Sequence, residues 1–161
     1  MTVQKRAKLR AEPASKQKLR LWLRLLRVSR AIEVELRRRL QAQFATTLPK
    51  FDVMAALARH TAGMTMTELS RHLMVSNGNV TGIIDRLVAE GMVVRLAHAG
   101  DRRATFVRLT PKGAQQFAVM AKAHEGWVGE ILGGYSSGEA ESLFALLSGP
   151  RLVLSTEGSG S

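Results

Sequence analysis

Between Ser76 and Gly91 the chain gathers Asn77, Asn79, Thr81 and Arg86, with Gly78, Gly82 and Asp85 among them, on one side of a stretch whose other side is apolar. These groups recognise; they do not react. A carboxamide can read the edge of an adenine through two hydrogen bonds, the hydroxyls of Ser76 and Thr81 can serve bases or phosphates, and a guanidinium can take a phosphate or a guanine. The two glycines keep the surface low for close approach. Val80, Ile83, Ile84, Leu87 and Val88 recur at the i, i+3, i+4, i+7 spacing of a helix with one buried face. Alone, the stretch suits an ordinary surface helix as well as a reader of the DNA major groove, so its neighbours must decide.

Chemistry of other kinds finds little support. The 161 residues include no cysteine, which excludes disulfides, thiolate metal sites and thiol-based sensing. Paired carboxylates, a nucleophile with its base and a phosphate-binding loop are all lacking, so no catalytic residue is expected and the protein is read as no enzyme. His60, His72, His98 and His124 show no metal-ligand spacing, and neither metal nor cofactor is expected. Arginines interrupt the longest apolar run, and the basic start carries no apolar segment of a signal peptide, so a cytoplasmic protein is expected. The formal charge is +11, and residues 1–40 account for +10 of it. A balance this basic suits polyanionic partners, yet it lies away from the stretch around Asn79.

The positioning elements follow in order. Residues 1–16, with Lys5, Arg6, Lys8, Arg10 and Lys16, read as a flexible basic arm. A long helix is expected from Gln17 to about Phe44, with Leu19, Trp22, Leu25, Leu26, Ile32, Leu36 and Leu40 in one stripe and Arg20, Arg24, Arg27 and Arg38 in a narrow sector elsewhere. Thr47-Leu48-Pro49 starts a second helix that buries Phe51, Met54, Leu57 and Ala58. Thr65-Met66-Thr67-Glu68 has the form of a capping box and starts a third, with Met66, Leu69, Leu73 and Met74 facing inward. The break at Met74-Val75-Ser76 is only a tight turn, Ser76 caps the next helix, and the pair makes a helix-turn-helix. Residues 92–97 and 104–109 read as a hairpin with a basic tip at residues 98–103. Thr110-Pro111 and Ser136 to Glu139 start two last helices, the final one presenting Leu143, Phe144, Leu146 and Leu147. The fold class is therefore mainly α with a small two-stranded β-wing. Residues 17–148 form one domain, in which 17–46 and 111–148 flank a lobe at 47–110, and residues 149–161 read as a disordered tail or a remnant of cloning.

Three blocks, LPKFDVMAAL, MTMTELSRHLMVSNGNVTGIIDRLVAEGMVVR and DRRATFVRLTPKG, resemble the MarR family of bacterial winged helix-turn-helix regulators over about residues 20–148. The resemblance implies a homodimer held by the flanking helices, with two recognition helices in successive major grooves of a pseudo-palindromic operator. Carried over residue by residue, it makes Ser76, Asn77, Asn79, Thr81 and Arg86 the recognition set and Thr65 and Thr67 phosphate contacts. Arg103 becomes the wing arginine of the minor groove, Asp101 its carboxylate partner and Arg102 a phosphate contact.

The family also implies a small aromatic effector. Trp22, Phe51, Met54 and Trp127 are the apolar candidates, and Arg20, Arg24 and Arg27 would suit the phosphates of a CoA thioester. RLWLRLLR followed by TTLPKFDVMAAL is similar to regulators of aromatic-acid breakdown, which suggests a repressor of such an operon. Regulation of efflux or stress genes by another phenolic effector is the alternative, as is a basic membrane-surface or protein-interaction module. A membrane partner is not expected, because Glu33 and Glu35 interrupt the basic helix.

Overall fold

The computed structural model describes residues 13–98 and 101–148, and of residues 98 and 101–104 the backbone alone. Within them the order is α1 (Ala14–Phe44), α2 (Leu48–Arg59), β1 (Met64–Thr65), α3 (Met66–Leu73), α4 (Asn77–Ala89), β2 (Val93–His98), β3 (Asp101–Leu109), α5 (Pro111–Ile131) and α6 (Ser137–Leu147). Small side chains at the caps write most helix starts. Thr47 Oγ1 accepts from Lys50 N, Thr110 Oγ1 accepts from Gly113 N, and Thr65 with Glu68 and Ser136 with Glu139 form reciprocal capping boxes. Each box satisfies two orphan backbone donors and holds its glutamate below the ordinary carboxylate range, chiefly through the backbone N–H that the carboxylate accepts.

Helix α1 begins at Ala14, directly after Pro13, so the end of the expected arm is helical; residues 1–12 lie outside the described residues. The hairpin is longer than its composition suggests. His98 and Asp101 to Arg103, expected at the tip, continue β2 and β3, with a register shift at Ala97/His98. A third strand also joins the expected two. β1 pairs antiparallel with β3, Met64 opposite Val107, giving the sheet order β1-β3-β2. Gly63 makes this possible: it sits at φ 100°, and a Cβ there would stand 2.9 Å from the Val107 carbonyl oxygen.

One core runs through the lobe between α2 and β3. Val53, Leu57, Leu69, Val80, Ile84, Leu87 and Val107 are completely buried, and Leu40 of α1 joins them. Phe51 ties this core to α5, its ring 5.4 Å from Phe117 and stacked 4.5 Å from His124. The α1 stripe, by contrast, divides. Leu36 and Leu40 are buried, while Leu19 and Trp22 stand exposed, Trp22 at 56%. Leu143, Phe144, Leu146 and Leu147 of α6 are likewise left exposed by the described residues. Met74, expected to pack inward, is 91% exposed. It ends α3 in the left-handed conformation at φ 54°, where the backbone closes the turn and the side chain is carried away from the α3 core face.

Candidate nucleic-acid interface

The α4 helix presents the face its sequence promises. Ser76 caps it, with Oγ accepting from Asn79 N at 3.4 Å, and Val80, Ile84 and Leu87 lie in the core. Asn77, Gly78, Asn79, Thr81, Gly82, Asp85 and Arg86 are all exposed. A Cβ added at Gly78 or Gly82 would meet no other part of the chain within 4 Å, so neither glycine serves internal packing. Thr81 Oγ1 donates to the Asn77 carbonyl at 2.9 Å, which leaves its oxygen as an acceptor.

Both ends of α4 are fixed. At the start, the Met74 turn is closed by backbone bonds from Met74 N to Arg71 O and from Val75 N to Ser70 O, and Ser70 Oγ donates to Val75 O at 2.6 Å. At the end, Gly91 at φ 72° completes a Schellman motif, with Met92 N bonded to Leu87 O and Gly91 N to Val88 O. That turn is then clamped to the head of α5. Thr110 Oγ1 donates to Gly91 O at 2.7 Å, Lys112 Nζ to Glu90 O at 3.0 Å, and Lys50 pairs with the Glu90 carboxylate. Gly113 lies so close to Met92 that a Cβ would fall 2.0 Å from its carbonyl oxygen. The LTPKG sequence was legible as a motif; that it bolts the end of α4 to the head of α5 is visible only in the fold.

The other expected DNA contacts fare unequally. Thr67 is exposed in the first turn of α3. The Thr65 hydroxyl is engaged twice by Glu68, accepting from its backbone N at 3.1 Å and facing its carboxylate at 3.0 Å, and so caps α3. The backbones of Asp101, Arg102 and Arg103 lie in β3, and their side chains fall outside the described residues. One contact escaped the sequence. Arg95 of β2 donates to Asp85 of α4 at 2.5 Å, joining the hairpin to α4.

The expected effector residues do not converge within one chain. Phe51, Met54 and Trp127 are buried, and Trp127 packs against Phe44 with ring centroids 6.1 Å apart. Trp22 lies on the same unbroken α1 as Phe44, and at 1.5 Å per residue it sits about 33 Å along the axis from it. Arg20, Arg24 and Arg27 are exposed on that distant half, whereas Arg38 forms a two-pronged bond with Glu35, 2.7 Å at the shorter contact. Arg38 and then Arg39 hold Glu35 well down, at about 2. Of the expected effector set only Met54 lines a cleft of about 910 Å³ between the end of α1, the end of α4 and α5, with Leu87, Met92, Lys112, Gln116 and Met120 also on its walls. Among the described residues no group of three or more His, Asp or Glu could hold a metal, and no helix is long and apolar enough to cross a membrane.

A sequence profile of the MarR family matches residues 46–104, the span from the start of α2 into β3. The transcriptional activatory protein BadR of Rhodopseudomonas palustris is 34% identical over 120 residues, which cover 73% of this chain and 68% of that protein. The chain belongs to the MarR family. A MarR-family regulator from Silicibacter pomeroyi has a solved structure 35% identical, with TM-score 0.71 over 83% of this chain and 91% of that one. A mutant MarR from E. coli, solved in complex with operator DNA, matches with TM-score 0.69 at 26% identity over 84% of this chain and 96% of that one. The protein is thus a DNA-binding transcriptional regulator of the winged helix-turn-helix type, not an enzyme. Helices α3 and α4 are its helix-turn-helix, and β2 and β3 its wing.

Proposed function

We propose that the protein works in the cytoplasm as a homodimer that reads a pseudo-palindromic operator and represses genes for the breakdown of aromatic compounds. A small aromatic effector, or its CoA thioester, lifts the repression. The observation that carries the DNA-reading part is the outer face of α4, where Asn77, Asn79, Thr81 and Arg86 stand exposed on a helix fixed at both ends. The exposed apolar residues of α1 and α6 support the dimer, because so many large apolar side chains left open on two helices suit an interface. A two-fold pair of α4 helices would meet successive major grooves, about 34–36 Å apart. Arg20, Arg24 and Arg27, remote from Phe51, Met54 and Trp127 along one chain, could approach them only from a second copy.

The test has two parts. A duplex selected by the protein from a randomised pool should be a pseudo-palindrome, and Asn79→Ala should lose about 1–3 kcal/mol of affinity for it and relax selection at one base pair per half-site. An unchanged selection would remove Asn79 from the reading set. Calorimetric titration with an aryl-CoA thioester and with the matching free acid then addresses the effector, and no heat from either would remove this effector class. The name of the R. palustris relative, an activatory protein, makes the sign of regulation worth measuring directly. Loss of a reporter's repression when the gene is deleted is the expected outcome.

A further inference from the structure

Asp85 is a carboxylate on the exposed face of the recognition helix, alongside Thr81, Gly82 and Arg86, where a DNA phosphate or base edge would come close. A negative charge there should repel a polyanion. The fold supplies its counter-charge from another element: Arg95 of β2 donates to it at 2.5 Å, and the pair remains in contact with solvent, with side-chain exposures of 57% for Asp85 and 36% for Arg95. A pair this open contributes little to stability, on the order of 0–1 kcal/mol by exposed-pair measurements. Its position is the more informative property. It spans the junction of the two parts that must seat together, the recognition helix and the wing.

We propose that Asp85 and Arg95 form a charge gate that suppresses binding to non-operator DNA. In the free protein Asp85 neutralises Arg95, so the wing edge offers one cation fewer to any phosphate it meets. When α4 is fully seated in its operator, a phosphate displaces the Asp85 carboxylate and takes the Arg95 guanidinium. Loosely docked, sequence-independent complexes leave the pair closed and gain nothing from it. Asp85 is therefore a specificity-determining residue without being a base reader. The gate rests on the reading of α4 as the groove helix, which Asn79→Ala tests separately on the same selected duplex.

The experiment measures affinity for the selected duplex and for a random duplex of equal length across a salt series, using the full chain. Asp85→Asn frees Arg95. It should strengthen random-DNA binding about three- to tenfold and steepen its log K against log salt slope by about 0.9, the value for one more phosphate, while the slope on the selected duplex stays unchanged. Arg95→Gln should flatten the slope on the selected duplex by about 0.9 and, by leaving Asp85 without its counter-charge, weaken random DNA as well, but by less than the selected duplex. Arg95→Lys, which keeps the charge, should retain the slope on the selected duplex. Circular dichroism confirms that each variant is folded. Equal losses on both duplexes for Asp85→Asn, or an unchanged operator slope for Arg95→Gln, would overturn the gate and leave the pair a purely structural strut.

Discussion

The lobe between α2 and β3 and the long flanking helices are built on opposite plans. In the lobe, apolar side chains on α2, α3, α4 and β3 close on one another within a single chain, and five of its residues, Val53, Leu69, Val80, Ile84 and Val107, have no exposed surface at all. The far half of α1 and all of α6 carry comparable apolar residues that stay exposed among the described residues, Phe144 at 69% and Leu21 at 58%. Similar composition thus has two meanings. The lobe closes its core among the described residues, whereas the flanking helices hold apolar surface that those residues leave open, as an interface would.

Two glycines break this comparison most sharply. Gly113 is inside the clamp, with backbone on the side a Cβ would occupy, and Gly82 faces open space. Gly113→Ala should destabilise the protein by about 3 kcal/mol or more, since backbone rather than a yielding side chain receives the new atom. Gly82→Ala should stabilise it by about 0.5–1 kcal/mol through helix propensity and still weaken operator binding, because the added methyl stands on the groove face. Urea denaturation and gel shifts on both variants check this. A tolerant Gly113→Ala would mean that the lobe is not bolted to α5 as the contacts imply.

A weaker intervention addresses the open surface. Phe144→Ser with Leu147→Ser should leave the lobe's denaturation cooperative, because both side chains are exposed in the chain itself. It should shift the sedimentation of the protein toward monomer at micromolar concentration and reduce operator affinity by roughly tenfold or more, as one recognition helix is then unlinked from the other. A protein that stays dimeric with both serines in place would remove α6 from the interface.

How much of this could be read beforehand depends on the range of the interaction. The caps at Thr47, Thr65, Ser76, Thr110 and Ser136 act over three residues, so residue type and spacing disclose them. The α4 seam of Val80, Ile84 and Leu87 follows from periodicity in the same way. The third strand does not, because Met64-Thr65 is too short to alternate and exists only through its pairing with β3. Met74 misled for a related reason: apolar type suggested the core, but the turn's geometry set its direction. The contacts that organise the site, Asp85 with Arg95 and Lys50 with Glu90, join residues 10 and 40 positions apart and carry no spacing signal. Trp22 and Trp127 show the converse, since both read as pocket residues but only position along the helices separates them.

The smallest expected effect lies where the two regions meet. His124 of α5 stacks on Phe51 of α2 at 4.5 Å with the rings 21° from parallel, and burial lowers its pKa from the ordinary 6.5. The unfolded chain then binds more protons than the folded one once the pH falls to the region of 6.5 and below. Stability should therefore be fully present above 6.5 and decline as the pH drops toward the lowered folded value, where the loss levels off. His124→Phe keeps a ring against Phe51 without a titrating group. Denaturant midpoints between about pH 8 and pH 5 should fall less for this variant than for the parent protein, with the difference opening below 6.5. Parallel curves would mean that the seam between lobe and flanking helix opens enough for water to reach the imidazole, and the contrast between a closed lobe and its open neighbours would then have to be drawn at α2 rather than at α5.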